Sequence, residues 1–316
     1  MEKFRYLANG KLLISGEYLV MDGAAALACP LTFNQVMDIT LTNDKRIYWI
    51  ASDTEGKWFN AVFSLDKFNI ERSSDHELAV RLQRLLLTAS GINPFPFQGA
   101  SISTNLNFNR FMGLGSSSTL ISLVAELFGV NKYKLHCLVS EGSGYDIACT
   151  DFNHPIIYQK ISPTEFLIKP INYCPPFADY IYFVWSGSKQ NTNDEIVKYR
   201  NRSGRGPNIV DKITEITFKI SEVKELSNFV RLIELHEDLI SSVINRMPIK
   251  KERFSGFKGC VKSLGAWGGD FLMAATDEDF NYVKEYFGDK GCSTVYRFND
   301  IVLNDKVIQN DTHIRS

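Results

Sequence analysis

Residues 113–119 read Gly-Leu-Gly-Ser-Ser-Ser-Thr and run directly into an apolar stretch, Leu120 to Phe128. Small residues let a backbone approach a ligand closely, hydroxyls add donors, and the first turn of a helix presents unpaired N–H groups. Gly113, Leu114, Gly115, Ser116, Ser117 and Ser118 therefore form a candidate anion site, and phosphate is the usual occupant of such a site. Two commoner phosphate motifs are excluded. No Gly-x-x-x-x-Gly-Lys-Ser/Thr occurs, and residue 118 is Ser where a third glycine would be required. A carboxylate, Asp146, follows a second tight turn at Gly142-Ser-Gly-Tyr. Two more small-residue segments stand far apart, Gly10-Lys11 with Ser15-Gly16-Glu17-Tyr18, and Gly265-Ala-Trp-Gly-Gly-Asp270.

These groups need a scaffold, and the chain supplies strands first and helices later. Phe4–Ala8, Lys11–Val20, Val36–Leu41, Arg46–Ala51 and Trp58–Phe63 are rich in β-branched and aromatic residues and read as strands between turn formers. Ser74-x-x-Glu77 reads as a capping box opening a helix, and Gly99–Thr104 as another strand. The helix from Ser116 is apolar on nearly every side, which implies burial. Strands are expected near Ile156–Gln159, Tyr180–Trp185, Phe271–Ala275 and Thr294–Phe298. Helices are expected from Thr192 toward Asn201, over Ile209–Glu222, over Asn228–Asn245 and near Glu278–Phe287. Cys174-Pro-Pro-Phe-Ala178 is the expected boundary, giving domains 1–174 and 175–316 and an α+β fold of two lobes.

Bulk properties limit the function classes. A length of 316 residues, 44% hydrophobic and 22% charged, describes an ordinary globular protein. A net charge of −1 argues against a broad grip on nucleic acid or an anionic membrane. No run is long and apolar enough to span a bilayer, and the start lacks the apolar segment of a secretory signal. Six scattered cysteines without a Cys-x-x-Cys pair read as free thiols, and the expected location is the cytoplasm.

Taken in order, Gly10-Lys11 with Gly16-Glu17-Tyr18, then Gly113-Leu-Gly-Ser-Ser117, then Ser143-Gly-Tyr-Asp146, then Gly265–Asp270 resemble the motifs of one kinase superfamily. It is named after galactokinase, homoserine kinase, mevalonate kinase and phosphomevalonate kinase (GHMP). The four segments span nearly the whole chain. Gly16-Glu17-Tyr18, Lys262–Asp270 and Trp185-Ser-Gly187 look most like the phosphomevalonate and mevalonate kinase branch. The resemblance implies a two-lobed fold with an antiparallel sheet in the second lobe. It also implies an ATP- and Mg²⁺-dependent phosphotransferase acting on a small acidic metabolite, as a monomer or homodimer.

Carried over by position, Gly113–Ser118 would hold the ATP phosphates, with Ser117 also reaching Mg²⁺. Asp146 matches the family's base for the acceptor hydroxyl, and Lys11 the lysine that pairs with it. Glu17, Tyr18, Ser186, Gly187, Gly265, Gly268 and Gly269 fall on the acceptor side. Glu141 is the candidate magnesium carboxylate and Glu126 its reserve. Phosphomevalonate is the first acceptor expected and mevalonate the second. Trp267 departs from the pattern by standing where glycine is usual, and the link from Thr119 to Gly142 is short for the family. Two alternatives follow: a nucleotide- or metabolite-binding protein without turnover, and an ATP-dependent decarboxylase resembling the one that acts on mevalonate diphosphate.

Overall fold

Two long strands open the chain in the computed structural model, which describes residues 2–187, 197, 199–200, 208–265 and 270–305. β1 (Lys3–Ser15) alternates exposed and half-buried residues up to Arg5-Tyr-Leu and is largely buried from Ala8 onward. It is one strand where the residue pattern suggested two. After a 3₁₀ turn, Leu19–Asp22, comes β2 (Ala26–Leu41), whose first six residues are all buried. A strand covered on both faces carries no apolar/polar alternation, which is why this half of β2 escaped the period-2 reading.

β3 (Arg46–Asp53), β4 (Gly56–Ser64) and β5 (Ile70–Ser73) follow, then α1 (His76–Ser90) and β6 (Ala100–Leu106). Next are α2 (Ser116–Phe128), α3 (Lys132–Val139), α4 (Tyr145–Cys149), β7 (Ile156–Lys160), β8 (Phe166–Pro170) and β9 (Ile181–Trp185). The remainder is α5 (Ile209–Glu222), α6 (Leu226–Ile244), α7 (Ile249–Arg253), β10 (Cys260–Leu264), β11 (Phe271–Ala275), α8 (Phe280–Asp289), β12 (Thr294–Arg297) and α9 (Phe298–Ile301).

Among the described residues a large mixed sheet runs β5-β4-β3-β6-β2-β7-β8, with β1 paired to β2. β3 and β6 are parallel, whereas β2 pairs antiparallel with both β6 and β7. A smaller antiparallel sheet runs β10-β11-β9-β12. The fold is α+β.

By packing, the chain forms two compact units. The first is Met1–Gly10, Phe33–Arg110 and Leu114–Asp151. Its core gathers Trp49 and Phe63 from the sheet with Leu86, Leu123 and Phe128 from α1 and α2. The second is Lys11–Thr32, Phe111–Gly113 and Phe152–Ser316, and the boundary expected at 174/175 falls inside it. There Val184, Val261 and Leu272 of the small sheet pack on Val283 and Phe287 of α8, while Tyr18 and Leu19 pack with Ile213 of α5 and Ile240 of α6. Among the described residues no helix is long and apolar enough to cross a membrane.

Candidate active site

α2 begins at Ser116 because Gly115 takes a left-handed conformation (φ 101°, ψ 26°) and an apolar run follows it. No side chain caps this turn. Ser118 and Thr119 turn inward: Ser118 donates to the Gly115 carbonyl at 2.8 Å and Thr119 to Gln35 Oε1 at 2.7 Å. Ser116 is half-buried and Ser117 exposed, and neither hydroxyl has a hydrogen bond among the described residues. The helix start thus offers outward hydroxyls beside uncapped N–H groups, the donor set an anion requires.

The approach to that helix is crowded within the second unit. Gly113 is left-handed (φ 75°), and a Cβ there would fall 1.8 Å from Asp270 Oδ2. The Lys11 ammonium donates to the Gly113 carbonyl at 3.1 Å. Ser186 N–H donates to the Asp270 carbonyl at 2.9 Å. Lys11, Gly113 and Asp270 are therefore brought together from three distant segments. Asp270 was seen in the sequence only as the end of a glycine patch, and its packing on Gly113 gave no local signal.

Asp146, in the first unit, occupies the first turn of α4, which left-handed Gly144 (φ 94°) opens. The side chain is half-buried and accepts from the N–H of Ile147 at 3.0 Å. Glu141 is exposed on the link from α3. Glu126 stands ten residues into α2, about 15 Å along the axis from Ser116 at the helical rise. Its charged neighbours are Lys132 and Asp151, and burial, reinforced by Asp151, pushes its carboxyl pKa up. Arg110 is engaged by buried Asp53, at 3.0 Å from Nη1, and lies 4.9 Å over the Trp58 ring.

On the expected acceptor side, Gly16 is left-handed (φ 96°) with no room for a side chain against Ala26. Tyr18 is buried and packs on Tyr199, with ring centroids 5.3 Å apart and the planes tilted by 34°. Glu17 is buried and its carboxylate contacts the ammonium of Lys262. Two more ionisable groups, His236 and Glu237 on α6, join this pair. Gly16 N–H donates to His236 Nε2 at 3.0 Å, and that nitrogen lies 3.5 Å from Glu17 Oε2. Glu237 Oε1 faces the N–H groups of Ile249 and Ser263, each at 3.4 Å. Burial, seconded by the Lys262 charge, holds His236 well below the ordinary imidazole value. Burial raises Glu17 and pushes Glu237 up to about 7, with Lys262 opposing both.

Gly187 (φ 78°) and Gly265 (φ 74°) are left-handed, a Cβ at either would meet no described residue within 4 Å, and Ser186 is half-buried. Gly268 and Gly269 lie outside the described residues, as do Trp267, Lys189 and Thr192.

Magnesium takes oxygen ligands, commonly one or two from protein beside those of phosphate and water. The exposed Ser117 hydroxyl and the exposed Glu141 carboxylate fit that demand chemically. Among the described residues no group of three His, Cys, Asp or Glu side chains is arranged to hold a metal unaided.

The chain has the fold of the GHMP kinases. Streptococcus pneumoniae phosphomevalonate kinase, solved with phosphomevalonate and AMPPNP, superposes with a TM-score of 0.70 and 17% identity over 93% of this chain and 99% of that one. Methanococcus jannaschii mevalonate kinase gives 0.66 and 15% over 96% and 99%. Lactococcus lactis galactokinase, solved with galactose, gives 0.69 and 13% over 96% and 94%. No protein-family model and no curated protein matches the sequence.

Proposed function

We propose that the chain is an ATP- and Mg²⁺-dependent kinase that phosphorylates a hydroxyl of a small acidic metabolite, phosphomevalonate first and mevalonate second. One observation carries this reading: Lys11 and Asp270 both close on Gly113, three residues before an uncapped helix start with outward serine hydroxyls. The shared fold with a phosphomevalonate and a mevalonate kinase supports it.

Phosphoryl transfer needs alignment and charge neutralisation more than covalent chemistry. The N–H groups of Ser116–Ser118 and the backbone of Gly113–Gly115 bind phosphate oxygens. Ser117 and Glu141 hold Mg²⁺, which when bound offsets phosphate charge. Lys11 faces the transferring group and Asp146 accepts the acceptor hydroxyl proton. Ser186, Gly187 and Gly265, with Gly268 and Gly269, shape the acceptor side, as do Tyr18 and Glu17.

The test is a coupled ADP assay with ATP, Mg²⁺ and a panel containing phosphomevalonate, mevalonate, mevalonate diphosphate and galactose. ADP release with one acidic acceptor is expected, and Asp146→Asn should lower kcat about 10²–10⁴-fold with folding retained. ATP binding by calorimetry without ADP from any acceptor would reject turnover. Carbon dioxide released from the diphosphate would favour the decarboxylase instead.

A further inference from the structure

The second unit buries two carboxylates, one ammonium and one imidazole against each other: Glu17, Glu237, Lys262 and His236 are 3%, 3%, 1% and 0% exposed. His236 Nε2 accepts the Gly16 N–H, so the ring is neutral with its proton on Nδ1. Among the described residues that leaves two acids against a single cation. An uncompensated buried charge is costly, so one acid must carry a proton. Glu17 touches the ammonium and also accepts a backbone hydrogen bond from Gly265, both of which favour its ionised form. No described cation touches Glu237, and its two backbone N–H contacts are long, 3.4 Å each, so the proton belongs there. Glu17 Oε2, Glu237 Oε2, Ser263 Oγ and His236 Nδ1 are buried polar atoms with no hydrogen-bond partner among the described residues, and a proton on Glu237 turns one carboxylate acceptor among them into a donor.

The cluster sits beneath a strained turn. Tyr18 has φ 61° and ψ −54°, and Leu19 N–H bonds the Glu17 carbonyl at 2.6 Å. This is a γ-turn of the rare positive-φ form, which persists only where its surroundings over-determine it. Glu17 is the first residue of that turn. Lys262 lies on β10, which ends at Leu264 just before Gly265.

We propose that Glu17, Lys262 and Glu237 form a buried clamp that holds the Gly16–Tyr18 turn and the Gly265 end of β10 in acceptor-binding geometry, with Glu237 a positioning residue that balances its charge. The acceptor-binding part of this rests on the kinase reading; the clamp itself does not. The groups facing Glu237 are Lys262 and the Ser263 N–H on β10, Glu17 on the turn after β1, the Ile249 N–H at the start of α7, and its own neighbour His236 on α6.

Two readouts test the clamp. The first is the acceptor KM as a function of pH. At pH 8, one unit above the Glu237 value, about a tenth of the molecules keep the proton, so the acceptor KM should rise about tenfold from its pH 6 value while the ATP KM does not. Glu237→Gln should keep the acceptor KM low at both. The second readout is stability, which needs no turnover. A carboxyl whose folded pKa is raised contributes stability at low pH that is lost as pH climbs from its unfolded value, about 4.3, through its folded value near 7. Wild-type stability should therefore fall relative to Glu237→Gln across that window and level off above it. The opposing dependence of neutral, buried His236 is present in both proteins and cancels in the difference.

A stability difference flat from pH 4.5 to 8 overturns the clamp. A pH-independent acceptor KM in the wild type overturns the positioning role even if the stability difference is present. Failure of the wild type to turn over any acceptor overturns the kinase reading, and the stability readout still decides the clamp. Should Glu237→Gln not fold, site-assigned carbon-13 titration of the Glu237 carboxyl reads the same proton: a midpoint near pH 7 supports the clamp, and one below 6 overturns it.

Discussion

Gly113 and Gly129 share a left-handed backbone, at φ 75° and 62°, yet differ in what a methyl group would strike. At Gly129 the nearest atom is Asn93 Nδ2 at 3.7 Å, so Gly129→Ala should cost only the backbone term, about 1–2 kcal/mol. At Gly113 the methyl would meet the Asp270 carboxylate, so Gly113→Ala must also displace the packing next to Lys11. The expected outcome is a loss of ATP affinity of about tenfold or more for Gly113→Ala and none for Gly129→Ala, read by calorimetry. Equal affinities would show that the contact between Asp270 and Gly113 has no part in nucleotide binding. Lys262 makes a second case. Lys262→Met would leave Glu17 buried without its cation, and a cost of about 3–5 kcal/mol is expected by urea denaturation. Neither consequence could be read from neighbouring residues. Lys262 and Glu17 are 245 positions apart, and only the fold makes them partners. A weaker hint was present for His236, which falls seven residues after buried Phe229 and three after buried Ile233, on the apolar stripe of α6.

Elements with strong local signals stand where their residues placed them. α2 starts at Ser116, α5 spans Ile209–Glu222 and β11 spans Phe271–Ala275, because a glycine turn or a clean periodicity marks each edge. The phosphate-loop candidate was legible for the same reason. α3 is only eight residues long, and the link containing it gave no helix signal. At α1 the reading was off by one residue for a tertiary reason. Ser74, the expected cap, is taken by Asn60: its hydroxyl accepts that N–H at 2.9 Å. Asp75 caps instead, accepting from Leu78 N–H at 3.1 Å. Asp75→Ala should therefore destabilise α1 by about 1 kcal/mol and speed amide exchange at Leu78. Ser74→Ala should leave that amide protected and speed exchange at Asn60. The reverse pattern in hydrogen-exchange spectra would restore the capping box to Ser74.

Across the whole molecule, β1 and β2 bind the two units into one folding problem, since each strand contributes residues to both. Neither unit can lose these strands without exposing core residues of the other, such as Ala8 and Met37 in the first or Leu13 and Leu27 in the second. The cysteines make this measurable. None of the six is in a disulfide; Cys137 is exposed, Cys174 is intermediate, and Cys29, Cys149, Cys260 and Cys292 are buried. Burial also pushes the Cys260 thiol up to about 12, which removes the reactive thiolate at neutral pH. Under native conditions a thiol reagent should label Cys137 first, Cys174 slowly and the buried four only on unfolding. Cys149 belongs to the first unit, whereas Cys29, Cys260 and Cys292 belong to the second. If the shared strands couple the units, peptide mass spectrometry along a urea series will show Cys149 and Cys260 becoming reactive at one common midpoint. Labelling of Cys149 at distinctly lower urea than Cys260 would mean that the first unit melts alone.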